Sequence, residues 1–245
     1  MKSANATLRS IALQEPATIR VFENFQLDYC CGGNRPLAAA CAEKGLSVEA
    51  VLSALEAVEA QKEAAAEDLS QATLSALIGH IVSTHHAYVR RELARLLPMA
   101  EKVAAKHGPA HPEFGEIEGQ LQQLAGELTS HLHKEEAILF PYIEAMERSR
   151  NEGGSAPHGC FGTVESPIQM MVMEHEAAGA LLERMREATQ GFTPGEWACP
   201  TTAGLLAGLK EFEKDLHRHV HLENNLLFPR AIALESGMLI RQGRG

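Results

Sequence analysis

The string HLHKEEAILFP occupies residues 131–141 and HVHLENNLLFP occupies residues 219–229; both fit H-x-H-x-E-x-x-x-L-F-P. In each copy a histidine and a glutamate stand four apart, at His131 and Glu135 and at His219 and Glu223. Residues four apart share one face of an α-helix, so each pair can meet a common partner. The flanking apolar residues recur in steps of three and four, the pattern of a helix facing a bundle core. One series reads Phe114, Ile117, Leu121, Leu124, Leu128, His131, Glu135, Ile138, Tyr142. A second reads Leu205, Leu209, Phe212, Leu216, His219, Glu223, Leu226, and a third Ile168, Met171, His175, Ala178, Leu182, Met185. Histidine and glutamate interrupt otherwise apolar seams, so they point inward.

A fourth segment has two registers. The seam through His86 reads Val82, His86, Val89, Leu93, Leu96; the seam through His85 also takes in Glu92. The first keeps Glu92 out of the core and is preferred, with His85 as the alternative. His86 precedes His131 by 45 residues and His175 precedes His219 by 44, the mark of a duplicated helical hairpin. Helices are expected over 72–107, 113–148, 164–190 and 201–235, with breaks at HGPAHP, NEGGSAP and the stretch from Gly191 to Pro200. The fold class is all-α, an up-down four-helix bundle over 72–245, preceded by a small helical N-terminal domain over 1–66. The stretch QKEAAAED between them reads as a solvated linker.

Two carboxylates buried among hydrocarbon cost several kcal/mol each, and facing one another they cannot both ionise. Divalent cations remove that cost, because they bind neutral imidazole and carboxylate together. Four histidines and two glutamates exceed one tetrahedral zinc and suit two metals, each with two imidazoles, bridged by both carboxylates. The surplus positive charge attracts a bridging oxide, hydroxide or exogenous anion. Paired metals bridged by carboxylates in bundle cores favour iron or manganese, and the histidine excess favours iron. The expected ligands are His86, His131, Glu135, His175, His219 and Glu223. The expected cofactor is two non-haem iron ions with an oxo or hydroxo bridge.

The remaining polar residues read as structural or solvated. His133, His217 and His221 are expected to face outward, and His80, His107, His111 and His158 to lie at the surface or in loops. Glu136 is expected in solvent. Glu127 and Glu174 flank the seams, where solvated roles are favoured over lining a channel. Met170, Met171, Met173 and Met185 read as core filler. Pro141 and Pro229 read as helix stops. Cys30 and Cys31 are adjacent in DYCCGG, on a turn broken by Gly32 and Gly33, where soft-metal binding or thiol redox chemistry is open to them. Asp28, Tyr29, Cys41, Cys160 and Cys199 read as structural.

A formal net charge of −10 with no Lys/Arg block argues against nucleic-acid partners. No apolar run is long enough to span a membrane, and the first twenty residues carry no secretory apolar core. Five cysteines, with no C-x-x-C, make neither a disulfide framework nor a cysteine-only zinc site. A cytoplasmic protein is the expectation.

DYCCGG, the two H-x-x-x-E-x-x-x-x-F-P strings and the late LENNLLFPRA together resemble the iron–sulfur cluster repair di-iron proteins, the RIC group of ScdA/YtfE type, over nearly the whole chain. The resemblance implies a hemerythrin-like bundle whose irons are held by His86, His131, Glu135, His175, His219 and Glu223, with both glutamates bridging. It implies a functional role for Cys30 and Cys31 as the vicinal cysteines of the N-terminal module. It further implies repair of iron–sulfur clusters damaged by nitric oxide or oxidative stress, by iron donation or by nitric oxide reduction. Implied partners are damaged iron–sulfur proteins and the gases nitric oxide and oxygen, with a homodimer allowed. The competing class is a hemerythrin-like oxygen or nitric oxide binding or sensing protein.

Overall fold

The structure, a computed structural model, describes residues 3–60, 69–157, 159 and 161–242, so the QKEAAAED linker, His158 and Cys160 lie outside the described residues. Four short helices form the N-terminal module: α1 (Leu8–Gln14), α2 (Ile19–Asn24), α3 (Leu37–Glu43) and α4 (Val48–Ala60). Thr7 starts α1 by accepting the Ser10 N–H on its side chain, an N-cap bond. Leu8, Ile11, Phe22, Leu37, Val51 and Leu55 close a core of the module's own.

Four long helical rods follow. The first, α5 (74–107), joins Leu74–His80 to Ala87–His107 through a π-turn at Ile81–His86. The second, α6 (113–151), joins Glu113–Lys134 to Phe140–Asn151 through a π-turn at Glu135–Leu139. The third, α7, is Glu165–Ala188. The fourth, α8 (200–242), joins Pro200–Leu222 to Phe228–Gln242 through a π-turn at Glu223–Leu227. The all-α bundle expected from the seams is what forms, with rod ends within a few residues of expectation except that α8 runs to 242. No strand occurs among the described residues, and no helix there is long and apolar enough to cross a membrane.

Pro141 and Pro229 do not stop their helices. Proline has no N–H to give and crowds the carbonyl four residues back. Here the preceding N–H groups, of Phe140 and Phe228, reach five residues back to the carbonyls of Glu135 and Glu223. The widened turn lets each proline enter at the start of a resumed α-helix, where its missing N–H is no loss.

The extra residue in each π-turn also shifts the seam. Beyond Glu135 the buried positions are Leu139, Phe140, Ile143 and Met146, whereas Ile138 is 49% exposed. Ile138 and Tyr142 therefore leave the seam expected for them. On α7, Met171 and Met185 fill the core as expected, but Met170 and Met173 are exposed.

The bundle interior is two apolar clusters rather than one. Val89, Leu132, Ala178 and Leu216 belong to the first, and Ile81, Leu139, Met171 and Leu226 to the second. Each rod passes from one cluster to the other at its inward histidine or glutamate. Buried Glu235 anchors one of the interior ends: it accepts the Tyr142 hydroxyl at 2.7 Å and the Val164 N–H at 3.0 and 3.1 Å. Replacing Glu235→Ala orphans the Val164 N–H and leaves the Tyr142 hydroxyl only the Pro157 carbonyl at 3.1 Å, and should lower unfolding free energy by about 1–3 kcal/mol in urea titration. Tyr142→Phe, which leaves the Val164 N–H bonded to Glu235, should lower it less. An unchanged midpoint for Glu235→Ala would refute this anchoring role.

Candidate metal centre

The expected side chains do converge. His86, Glu135, His219 and Glu223 form one group, and His131, Glu135, His175 and Glu223 another; within each, one ligand atom per residue lies within 4.8 Å of all the others. Both groups share both glutamates. All six residues are at most 3% exposed. The π-turn of α5 buries both His85 and His86, but only His86 joins the cluster. His85 stacks on His219 with ring centroids 5.6 Å apart and donates from Nδ1 to Asp215 at 3.0 Å.

The nitrogens facing away from the cluster fix those facing it. His86 Nδ1 donates to Glu136 at 2.7 Å, His131 Nδ1 to Glu174 at 2.9 Å, and His175 Nδ1 to Asn224 Oδ1 at 3.0 Å. With those protons on Nδ1, the neutral rings carry lone pairs on Nε2. Yet Nε2 of His86 lies 3.1 Å from Nε2 of His219, and Nε2 of His131 lies 3.1 Å from Nε2 of His175. At the His131–His175 pair two lone pairs face and repel, while His219 Nδ1 has no hydrogen-bond partner and its Nε2 lies 3.0 Å from Glu223 Oε1. A cation with metal–nitrogen bonds of about 2.1 Å would hold two such nitrogens roughly 3 Å apart on adjoining positions. Both carboxylate oxygens of Glu135 are buried without a hydrogen bond. This donor set would suit cations held by the imidazole pairs and the two carboxylates.

The protein's own charges describe the cluster without metal. Burial opposes a charged His86, but the Glu135 and Glu223 carboxylates, with oxygens 3.4 and 3.9 Å from its Nε2, outweigh it and push its pKa up to about 10. Burial likewise opposes a charged His175, and the Glu223 hydrogen bond and charge push it up to about 9. Burial holds His131 and His219 down. Burial and the nearby Glu223 charge raise Glu135, whereas Glu223, despite burial, is held well below the carboxylate range by His219, His175 and His86. Protons thus substitute for metal charge at neutral pH, and a cation must displace them to bind.

Several residues read as bystanders take part. Glu136 is not simply solvated, since it holds His86 and also accepts from Arg90 at 2.9 Å. Glu174 holds His131 and pairs with Lys134. Their place was hidden because an outer partner sits one position off the seam, where a solvated carboxylate also sits. Glu127 is exposed and accepts from Gln123 at 2.8 Å. His133 faces outward as expected. His221 and His217 do not: both meet the Tyr29 ring, at 5.4 and 6.3 Å, because the N-terminal module covers that face of α8. His80 lies on α5 against His85, and His107 and His111 pack on Trp197. Cys41 is buried in the module core, and half-buried Cys199 sits 3.4 Å from His107 Nε2.

Cys30 and Cys31 are brought to the bundle. Cys30 is buried within the first apolar cluster, and Cys31 packs against it. Asn225 Nδ2 donates to the carbonyls of Tyr29 at 3.2 Å and Cys30 at 3.4 Å, and Arg218 makes a two-pronged pair with Glu23 at 2.7 and 2.8 Å. A cavity of about 290 Å³ between module and bundle is lined by Asp28, Cys30, Cys31 and His175.

Two outcomes follow from this geometry. Because their folded pKa values lie above the unfolded value, protonated His86 and His175 stabilise the metal-free protein fully below pH about 6.5, and that stability is lost as pH rises through about 9 to 10. Melting of metal-free protein should therefore fall from pH 7 to pH 10 more steeply than melting of metal-loaded protein; parallel curves would refute the assignment. Glu136→Gln and Glu174→Gln weaken the acceptors that orient His86 and His131, and should each lower metal affinity about 10- to 100-fold in competitive chelation.

Comparison with known proteins places this geometry in a lineage. A family profile described as the Hemerythrin HHE cation binding domain matches residues 77–231, and one described as a domain of unknown function (DUF542) matches residues 4–59. The "Iron-sulfur cluster repair protein YtfE" of Yersinia pseudotuberculosis serotype IB (strain PB1/+) is 39% identical over 234 residues, covering 95% of this chain and 99% of the relative. The protein of the same name from Yersinia pestis (strain Pestoides F) is 38% identical over the same shares. With both profiles matched, and with relatives this similar along almost their entire length, the chain belongs to the hemerythrin-like iron–sulfur cluster repair family, of ScdA/YtfE type.

Proposed function

We propose that this protein repairs iron–sulfur clusters damaged by nitric oxide or oxidative stress, using a di-iron centre held in the bundle. The observation that carries the reading is the pair of overlapping buried groups sharing Glu135 and Glu223. Its clients are damaged iron–sulfur proteins, and nitric oxide and oxygen are the small molecules that reach the centre. Two iron ions, when bound, supply one-electron redox chemistry and Lewis acidity. The chain's own residues do the rest. His86 and His219 would hold one ion, His131 and His175 the other, and both glutamates would fix their separation. Glu136, Glu174 and Asn224 keep three imidazoles turned inward. The apolar clusters on either side keep bulk water out and strengthen the electrostatics between.

The division into a module over 1–66 and a bundle over 72–245, and a cytoplasmic setting, belong to the same proposal. Free thiols at Cys30, Cys31, Cys41 and Cys199 suit a reducing compartment. Mössbauer spectroscopy and metal analysis of the purified protein should give two coupled irons per chain. Glu135→Leu and Glu223→Leu should each lose iron yet keep helical circular dichroism, since each removes a buried charge. The loaded protein should restore activity to a nitric oxide-inactivated iron–sulfur enzyme, and those variants should not. Full iron content in either variant would overturn the ligand assignment. Failure to restore the enzyme, with iron intact, would overturn the repair reading.

A further inference from the structure

We propose that Asp28, Cys30 and Cys31 form a second cation site, suited to thiophilic divalent ions, on the wall of the cavity beside the bundle cluster. A carboxylate oxygen and the two sulfurs all lie within 4.8 Å of one another. Side chains of adjacent residues usually diverge; here one turn gathers them. Asp28 Oδ1 accepts the N–H groups of Cys30 at 3.2 Å and Cys31 at 2.9 Å, and Oδ2 accepts that of Gly32 at 2.8 Å. The turn closes tightly enough that a Cβ on Gly33 would meet the Tyr29 carbonyl oxygen at 2.6 Å. The Cys30 sulfur is then 3.2 Å from Asp28 Oδ1.

Two sulfurs and one oxygen select softer d-block ions over magnesium or calcium. Three protein ligands leave a further coordination position, and the cavity of about 290 Å³ gives it access. Binding is ligand exchange: each ligating thiol gives its proton to solvent, and no electrons move. The site is one amide away from the bundle cluster. Asn224 Oδ1 accepts from His175 Nδ1 at 3.0 Å, and Asn224 Nδ2 lies 4.0 Å from the Cys31 sulfur. That the natural ion is iron rests on the proposed repair function; the site itself rests on its ligands.

The probe is cobalt(II), added without oxygen to the full-length protein. Thiolate-to-cobalt charge-transfer absorption reports sulfur ligation alone, because the bundle cluster offers only nitrogen and oxygen. The band should saturate at one equivalent, vanish in Cys30→Ser with Cys31→Ser, and survive Cys199→Ser. Asp28→Asn, which keeps an acceptor for the turn but removes the charge, should weaken cobalt binding at least tenfold. No band in the unaltered protein, or a band that survives the double serine variant, overturns the site. Iron content of the bundle, measured in the double variant, serves as the folding control and separates the two proposals. A cobalt band in protein that takes up no bundle iron sinks the di-iron reading alone; bundle iron with no cobalt band sinks this site alone.

Discussion

Two carboxylates and four imidazoles buried in the middle of a helical bundle are the constraint around which this structure is arranged. No apolar side chain can neutralise them, and all six residues are at most 3% exposed. The interior accordingly divides into two hydrocarbon clusters with a polar layer between. Within that layer, facing Nε2 atoms and the unbonded oxygens of Glu135 leave a need that a cation could meet. Protons on His86 and His175 meet it less completely when metal is absent.

Holding such a layer requires departures from ideal helix geometry, and three of the four rods make one there. The π-turns place His86, Glu135 and Glu223 at their edges and rotate the chain between one apolar cluster and the next. π-Turns gather at functional sites because an inserted residue re-aims the side chains around it. Pro141 and Pro229 follow from the same geometry, since each enters just after a widened turn.

The N-terminal module adds a second chemistry to one flank of this layer. Asn225 and Arg218 of α8 grip it through the Tyr29 and Cys30 carbonyls and through Glu23, and Arg9 returns the contact by donating to the Asn225 carbonyl at 2.9 Å. The DYCCGG turn is thereby set against His175 rather than left in solvent. Adjacent asparagines divide the labour: Asn225 anchors the turn, while Asn224 sits between the thiol and the imidazole.

Much of the fold was legible in the chain. Seams of period three to four marked four rods, and their interruptions at His86, His131, Glu135, His175, His219 and Glu223 marked a buried polar cluster, because a helix turns its residues at a known angle. The outer partners were not legible: Glu136, Glu174 and His85 each lie one position off a seam, and only the neighbouring rod shows whether such a residue meets water or an imidazole. Periodicity also failed at Ile138 and at the prolines, since a π-turn is a response to packing that local pattern does not encode. The burial of His221, the half-burial of His217 and the approach of Cys31 to His175 depend on contacts between the N-terminal module and α8, such as Tyr29 with Asn225, nearly two hundred positions apart. Sequence by itself determined which residues share a helix face, as local backbone geometry sets that; tertiary structure decided which faces meet, because that choice is made by surfaces the chain joins only on folding.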